Sequence, residues 1–79
     1  MKIFIQYYAQ MREQRGLGQE EVETSSSTAL ELYEELRGVH SFTLNTDILR
    51  VAVNDAYVPW EAPLREGDKV IFIPPVAGG

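Results

Sequence analysis

The sequence contains no cysteine and a single histidine, His40. Without cysteine, neither disulfides nor thiolate metal ligands can support the fold, and one histidine cannot make a two-histidine metal site. The remaining oxygen ligands are scattered, so no metal site is expected, and His40 is read as a loop residue. Basic residues are also scarce: seven Lys and Arg stand against twelve Asp and Glu, a net charge of −5. Nucleic-acid binding needs a basic face that releases counterions from phosphates, so no nucleic-acid partner is expected. No apolar run is long enough to span a bilayer. Met1-Lys2 leads directly into strand-like sequence, without the basic and apolar regions of a signal peptide. A cytoplasmic protein with no membrane contact is therefore expected. Gly16-Leu17-Gly18 begins like a dinucleotide loop, yet Glu21 stands where the third glycine would be and no strand–helix junction is expected there. The run Ser25-Ser26-Ser27 reads as the approach to a helix rather than as nucleophiles. No self-contained active site emerges, and the chain is not expected to be catalytic alone.

What is present is a small core. The 79 residues are 44% apolar, and a chain this short buries about 60–65% of its unfolded surface, so residues 1–79 are expected to form one domain of modest stability. Lys2–Tyr8 reads as a strand with Ile3, Ile5 and Tyr7 on one face and Phe4 and Tyr8 on the other. Val70–Ile73 is a second continuously apolar strand, and the two are expected to pair inside a sheet. Gln10–Gln19 reads as a connection, and Glu20–Thr24 as a short polar strand that completes a hairpin. Thr28 and Glu31 have capping-box spacing. Ala29, Leu32, Tyr33 and Leu36 then recur at helical spacing, and Gly38 is placed to end the helix in a left-handed conformation. Leu49–Val53 alternates, with Arg50 and Ala52 outward. Asn54-Asp55 turns the chain, Tyr57-Val58 forms a short paired segment, and Leu64–Asp68 makes a tight turn into the last strand. Asp47, Asp55 and Asp68 are expected as turn residues. The glutamates between positions 20 and 35 suit a solvated acidic face, or a surface that steers a basic partner. The order strand, strand, helix, strand, short strand, strand predicts an α+β domain, a mixed sheet clasping one helix. If that helix covers one sheet face, the apolar residues of the other face mark an interaction surface.

The chain ends in Pro74-Pro75-Val76-Ala77-Gly78-Gly79. Two prolines lack N–H donors and fix φ, so they end the strand and hold the exit extended as a stalk, residues 74–79 forming a tail. Two residues without Cβ then allow close approach by another protein's backbone. Pro75 to Gly79 reach roughly 16 Å at ~3.3 Å per residue, about the depth of an enzyme cleft. The α-carboxyl of Gly79 is ionised at neutral pH and available to attack the α-phosphate of ATP held by another enzyme. The resulting acyl adenylate can be displaced by a sulfur or amine nucleophile.

Ala9-Gln10-Met11-Arg12-Glu13, Ala52-Val53-Asn54, Pro63-Leu64 with Gly67-Asp68, and the tail resemble, in order and over nearly the whole chain, the small subunits of molybdopterin synthase. That resemblance implies a ubiquitin-like β-grasp fold. It implies that a ubiquitin-activating-like adenylyltransferase adenylates Gly79 with ATP and that a sulfur donor protein makes the thiocarboxylate. The tail then delivers sulfur to cyclic pyranopterin monophosphate in the large subunit, within a heterotetramer, to build the dithiolene of molybdopterin. Gly78 and Ala77 would thread the partner's channel, Val76 and Pro75 would anchor the stalk, and Arg12 would touch the partner's surface. No bound cofactor is implied. Lys69 stands where many relatives carry an acidic residue, and Ala77 where threonine or serine is frequent. Related β-grasp carriers for thiamine, tRNA thiolation or cysteine synthesis share the diglycine, as do ubiquitin-like protein modifiers.

Overall fold

The computed structural model describes residues 1–75. Seven elements follow in order: β1 (Lys2–Tyr7), α1 (Ala9–Arg15), β2 (Gln19–Glu23), α2 (Ala29–His40), β3 (Arg50–Val53), β4 (Ala56–Val58) and β5 (Lys69–Ile73). The strands form one sheet in the order β2-β1-β5-β3-β4. The first and last strands lie parallel at its centre, with Ile5 beside Val70 and Tyr7 beside Phe72, and the remaining pairs are antiparallel. One alternation thus points Ile3, Ile5, Tyr7, Val51, Val70 and Phe72 into the core under α2. The other sends Phe4, Gln6, Ala52, Tyr57 and Ile71 to the outer face.

Helix α2 begins where its free donors find partners. Thr28 Oγ1 accepts from the N–H of Glu31 at 3.2 Å, while the N–H groups of Ala29 and Leu30 donate to the carbonyls of Ala62 and Trp60. The first turn is therefore satisfied partly by its own cap and partly by the segment leading to β5. The Glu31 carboxylate reaches back to the N–H and hydroxyl of Ser27, each at 2.7 Å, one residue before the cap. These bonds hold its pKa below the usual carboxylate value. The buried stripe Ala29, Leu32, Tyr33 and Leu36 packs on the sheet. Tyr33 donates to the Leu44 carbonyl at 2.6 Å, and its ring meets those of Phe42, Trp60 and Phe72 with centroids 5.3–6.2 Å apart. That aromatic cluster is the centre of the core.

Three expectations are corrected. Residues 10–19 are not merely a connection: Ala9–Arg15 is a helix, closed by Gly16 at φ 83° with its N–H on the Arg12 carbonyl. Met11, fully buried, anchors it. Only one apolar side chain faces the core, so no helical periodicity was there to read. Helix α2 does not stop at Gly38 but runs to His40, and Ser41 at φ 58° supplies the left-handed cap. His40 is accordingly a helix-end residue, its ring 5.7 Å from that of Phe42. Ala52 points outward as expected, and it is nonetheless only 6% exposed, because its neighbours across the ladders are Ile71 and Tyr57.

Asn54 and Asp55 both adopt positive φ, 52° and 72°, in the tight β3–β4 turn, a conformation these two residues tolerate better than most. The Asn54 side chain also donates to Asp68 Oδ1 at 2.9 Å and accepts from the Lys69 N–H at 3.0 Å. Two sequence blocks far apart in the chain are joined in this way.

Candidate functional site

β5 ends at Ile73, and Pro74 and Pro75 follow. Proline offers the ladder no donor, so two in succession stop the strand while keeping the chain extended. The stalk does not stand clear of the body from Pro74: that residue is buried and Pro75 is exposed. Tyr8, Ala9 and Glu13 lie on one side of this root. Ile48, Arg50 and Tyr57 lie on the other. Of the expected tail residues, Pro75 is the last described. Val76, Ala77, Gly78 and Gly79 lie outside the described residues.

Beside the root lies the outer sheet face. Ile71 and Ala52 form its nearly closed centre, while Phe4 is 43% exposed, Tyr8 44% and Tyr57 66%. The face expected from strand alternation is therefore present, apolar and uncovered by either helix. Arg12 is exposed on α1, next to Tyr8 at the rim of this face. It makes no ion pair among the described residues. It leans on Gly18, where an added Cβ would come within 3.3 Å of its Nε.

α1 is fixed in place by a polar cluster that the sequence did not announce. Glu20 of β2 accepts from Arg15 Nε and Nη2 at 2.7 and 2.8 Å, and from the Tyr7 hydroxyl at 2.7 Å. Arg15 is the main cause that holds the Glu20 carboxyl below its ordinary 4.5, against the opposing effect of burial. Burial, followed by the bond to Glu20, pushes the Tyr7 hydroxyl upward. A depressed folded-state pKa contributes stability that is fully present above the unfolded carboxylate value and is lost as pH falls through the folded one. Glu20→Gln is expected to cost about 2 kcal/mol at neutral pH through the weakened charge-assisted bonds. It should also flatten the acid limb of the stability curve. Urea unfolding at neutral pH and at several values below 4.5 checks both; an unchanged acid limb would contradict the assignment.

A mixed sheet with parallel outer chain segments at its centre, one helix clasped beneath, and a proline-led terminus beside an apolar face define the β-grasp arrangement of ubiquitin-like proteins. The sequence model of the ThiS family matches residues 5–79, and the chain belongs to that family. It is 34% identical to the molybdopterin synthase sulfur carrier subunit of Escherichia coli, over 98% of this chain and 99% of that one. In structure it is similar to SAMP1 from Haloferax volcanii, with a TM-score of 0.84, 21% identity and full coverage of both chains. It is also similar to a chain in a complex of subunits 1 and 2 of molybdopterin-converting factor from Helicobacter pylori, with a TM-score of 0.70, 20% identity and full coverage of both. These two likenesses concern the fold.

Proposed function

We propose that this chain is the sulfur-carrier subunit of a molybdopterin synthase. One observation carries the reading furthest: the central strand β5 leads through Pro74-Pro75 beside an uncovered apolar face, in a chain of the ThiS family that resembles such carriers along almost its whole length. The tail is the reagent and the face is its docking surface. The Gly79 carboxylate attacks the α-phosphate of ATP on a ubiquitin-activating-like enzyme, and pyrophosphate leaves. Sulfide-level sulfur released from a donor protein then attacks the acyl adenylate, AMP leaves, and the thiocarboxylate forms. In the large subunit that sulfur bonds to cyclic pyranopterin monophosphate, water cleaves the resulting thioester, and Gly79 returns to a carboxylate. Gly78 and Ala77 enter the channel, Val76 and Pro75 brace its mouth, and Arg12 meets the partner at the rim. The catalysts in this scheme are the partners, and the assembly with the large subunit is a heterotetramer.

Incubation of the full chain with the activating enzyme, ATP and a sulfide source is expected to raise its intact mass by the difference between one sulfur and one oxygen. An unchanged mass, under conditions that load another carrier, would overturn the reading. A loaded chain that binds a thiazole synthase in place of a pterin-handling large subunit would assign it to a different thiolation route.

A further inference from the structure

Three cations sit on the outer face. Lys2 Nζ lies 3.4 Å from Glu21 Oε2, and Lys69 Nζ lies 3.3 Å from Asp55 Oδ1, so each has a carboxylate within the chain. Arg50 is the third. It stands opposite Ile73 in the β3–β5 ladder, exposed, with its guanidinium carbon 5.8 Å from the centroid of the Tyr57 ring. No described carboxylate pairs with it, not even Asp47 in the same cleft. Arg12, Arg37 and Arg65 likewise make no ion pair among the described residues, so what sets Arg50 apart is its place, on the outer sheet face at the root of the tail and against an aromatic ring. The aromatic contact restricts the side chain without consuming any of its five N–H donors. The guanidinium fork also fits a carboxylate in bidentate fashion.

We propose that Arg50 determines the specificity of the docking face by receiving an Asp or Glu carboxylate from the large subunit into which the tail delivers its sulfur. This rests on the outer face being the docking surface, as above. The occupant is a protein surface with one carboxylate set among apolar residues, which Tyr57, Ile73 and Ile48 surround on this side. Arginine and tyrosine are the residue types that most often dominate interface energies. Docking removes water from Arg50, so a partner without the matching carboxylate leaves a desolvated charge and is rejected. An acidic partner is otherwise repelled by the rest of this body, so the attraction is local and fixes register.

The test titrates the full chain onto the molybdopterin synthase large subunit of the same organism by calorimetry, at low and high salt, with circular dichroism confirming that each variant is folded. Arg50→Gln is expected to weaken binding about tenfold and to flatten its salt dependence, since one charge-assisted bond is lost. Arg50→Glu should weaken it further. Phe4→Ser, remote from Arg50 on the same face, should weaken binding while leaving the salt dependence as it was. If both Arg50 variants bind like the parent with the same salt dependence while Phe4→Ser is weak, the carboxylate is overturned and the docking face stands. If Phe4→Ser also binds like the parent, the docking face falls with it.

Discussion

Deletion of Gly78 and Gly79 is expected to abolish sulfur loading while leaving the domain folded. The core closes within the described residues: its last member is Phe72, and β5 ends at Ile73. The ladder bonds of β5 to β1 and β3, and the cap of α2 on the 60–62 carbonyls, all lie upstream of the deletion. A change remote from such features normally shifts stability by no more than about 0.5 kcal/mol. Removing the two glycines, by contrast, takes away the carboxylate that would attack ATP and puts Ala77 at the end. The measurements are urea unfolding and intact mass after the loading reaction. Retained loading would move the chemistry off Gly79, and loss of the cooperative transition would show that the tail also supports the fold.

Phe72→Ala should have the largest effect on stability. Phe72 is fully buried, and its ring meets those of Tyr33, Trp60 and Tyr7 with centroids 5.3, 6.2 and 6.4 Å away. Truncating a buried phenylalanine costs about 3–5 kcal/mol, through lost transfer energy and the cavity left behind. At roughly 0.05–0.15 kcal/mol per residue, a chain of 79 residues has on the order of 4–12 kcal/mol in all. The variant is therefore expected to lose a large share of its stability and to unfold at a much lower urea concentration than the parent. Trp60, stacked against Phe72 at an interplanar angle of 13°, provides the fluorescence signal. Phe72→Leu should recover most of the loss, because it keeps the volume nearly filled. An alanine variant within about 1 kcal/mol of the parent would mean that the site collapses around the missing ring.

The central architecture was legible because its signals are local. Continuous apolar runs at both ends gave the two central strands, and Thr28 with Glu31 marked the start of α2. The apolar residues on the second faces of the first and last strands, β1 and β5, also foretold an uncovered apolar face. What escaped notice depends on contacts distant in sequence. α1 rests on a single buried side chain, Met11, and on the Arg15–Glu20–Tyr7 cluster, and no periodicity reveals either. Gly38 was a plausible stop, but the helix continues until Ser41 takes the left-handed conformation. Arg50 was correctly read as pointing outward. That Lys2 and Lys69 find carboxylates while Arg50 does not depends on neighbours distant in sequence, Glu21 on β2 and Asp55 in the β3–β4 turn. The tail chemistry was read from residue types, and its last four residues fall outside those described.

The position of β5 between β1 and β3 also has a mechanical meaning. A pull on the chain beyond Pro75, in line with β5, would act along the axis of this strand. The load is carried as shear across two ladders at once, parallel on one side and antiparallel on the other. Sliding the strand would require many backbone bonds to give way together, whereas an edge strand could peel one bond at a time. A chain held by its tip can therefore be released with its fold intact.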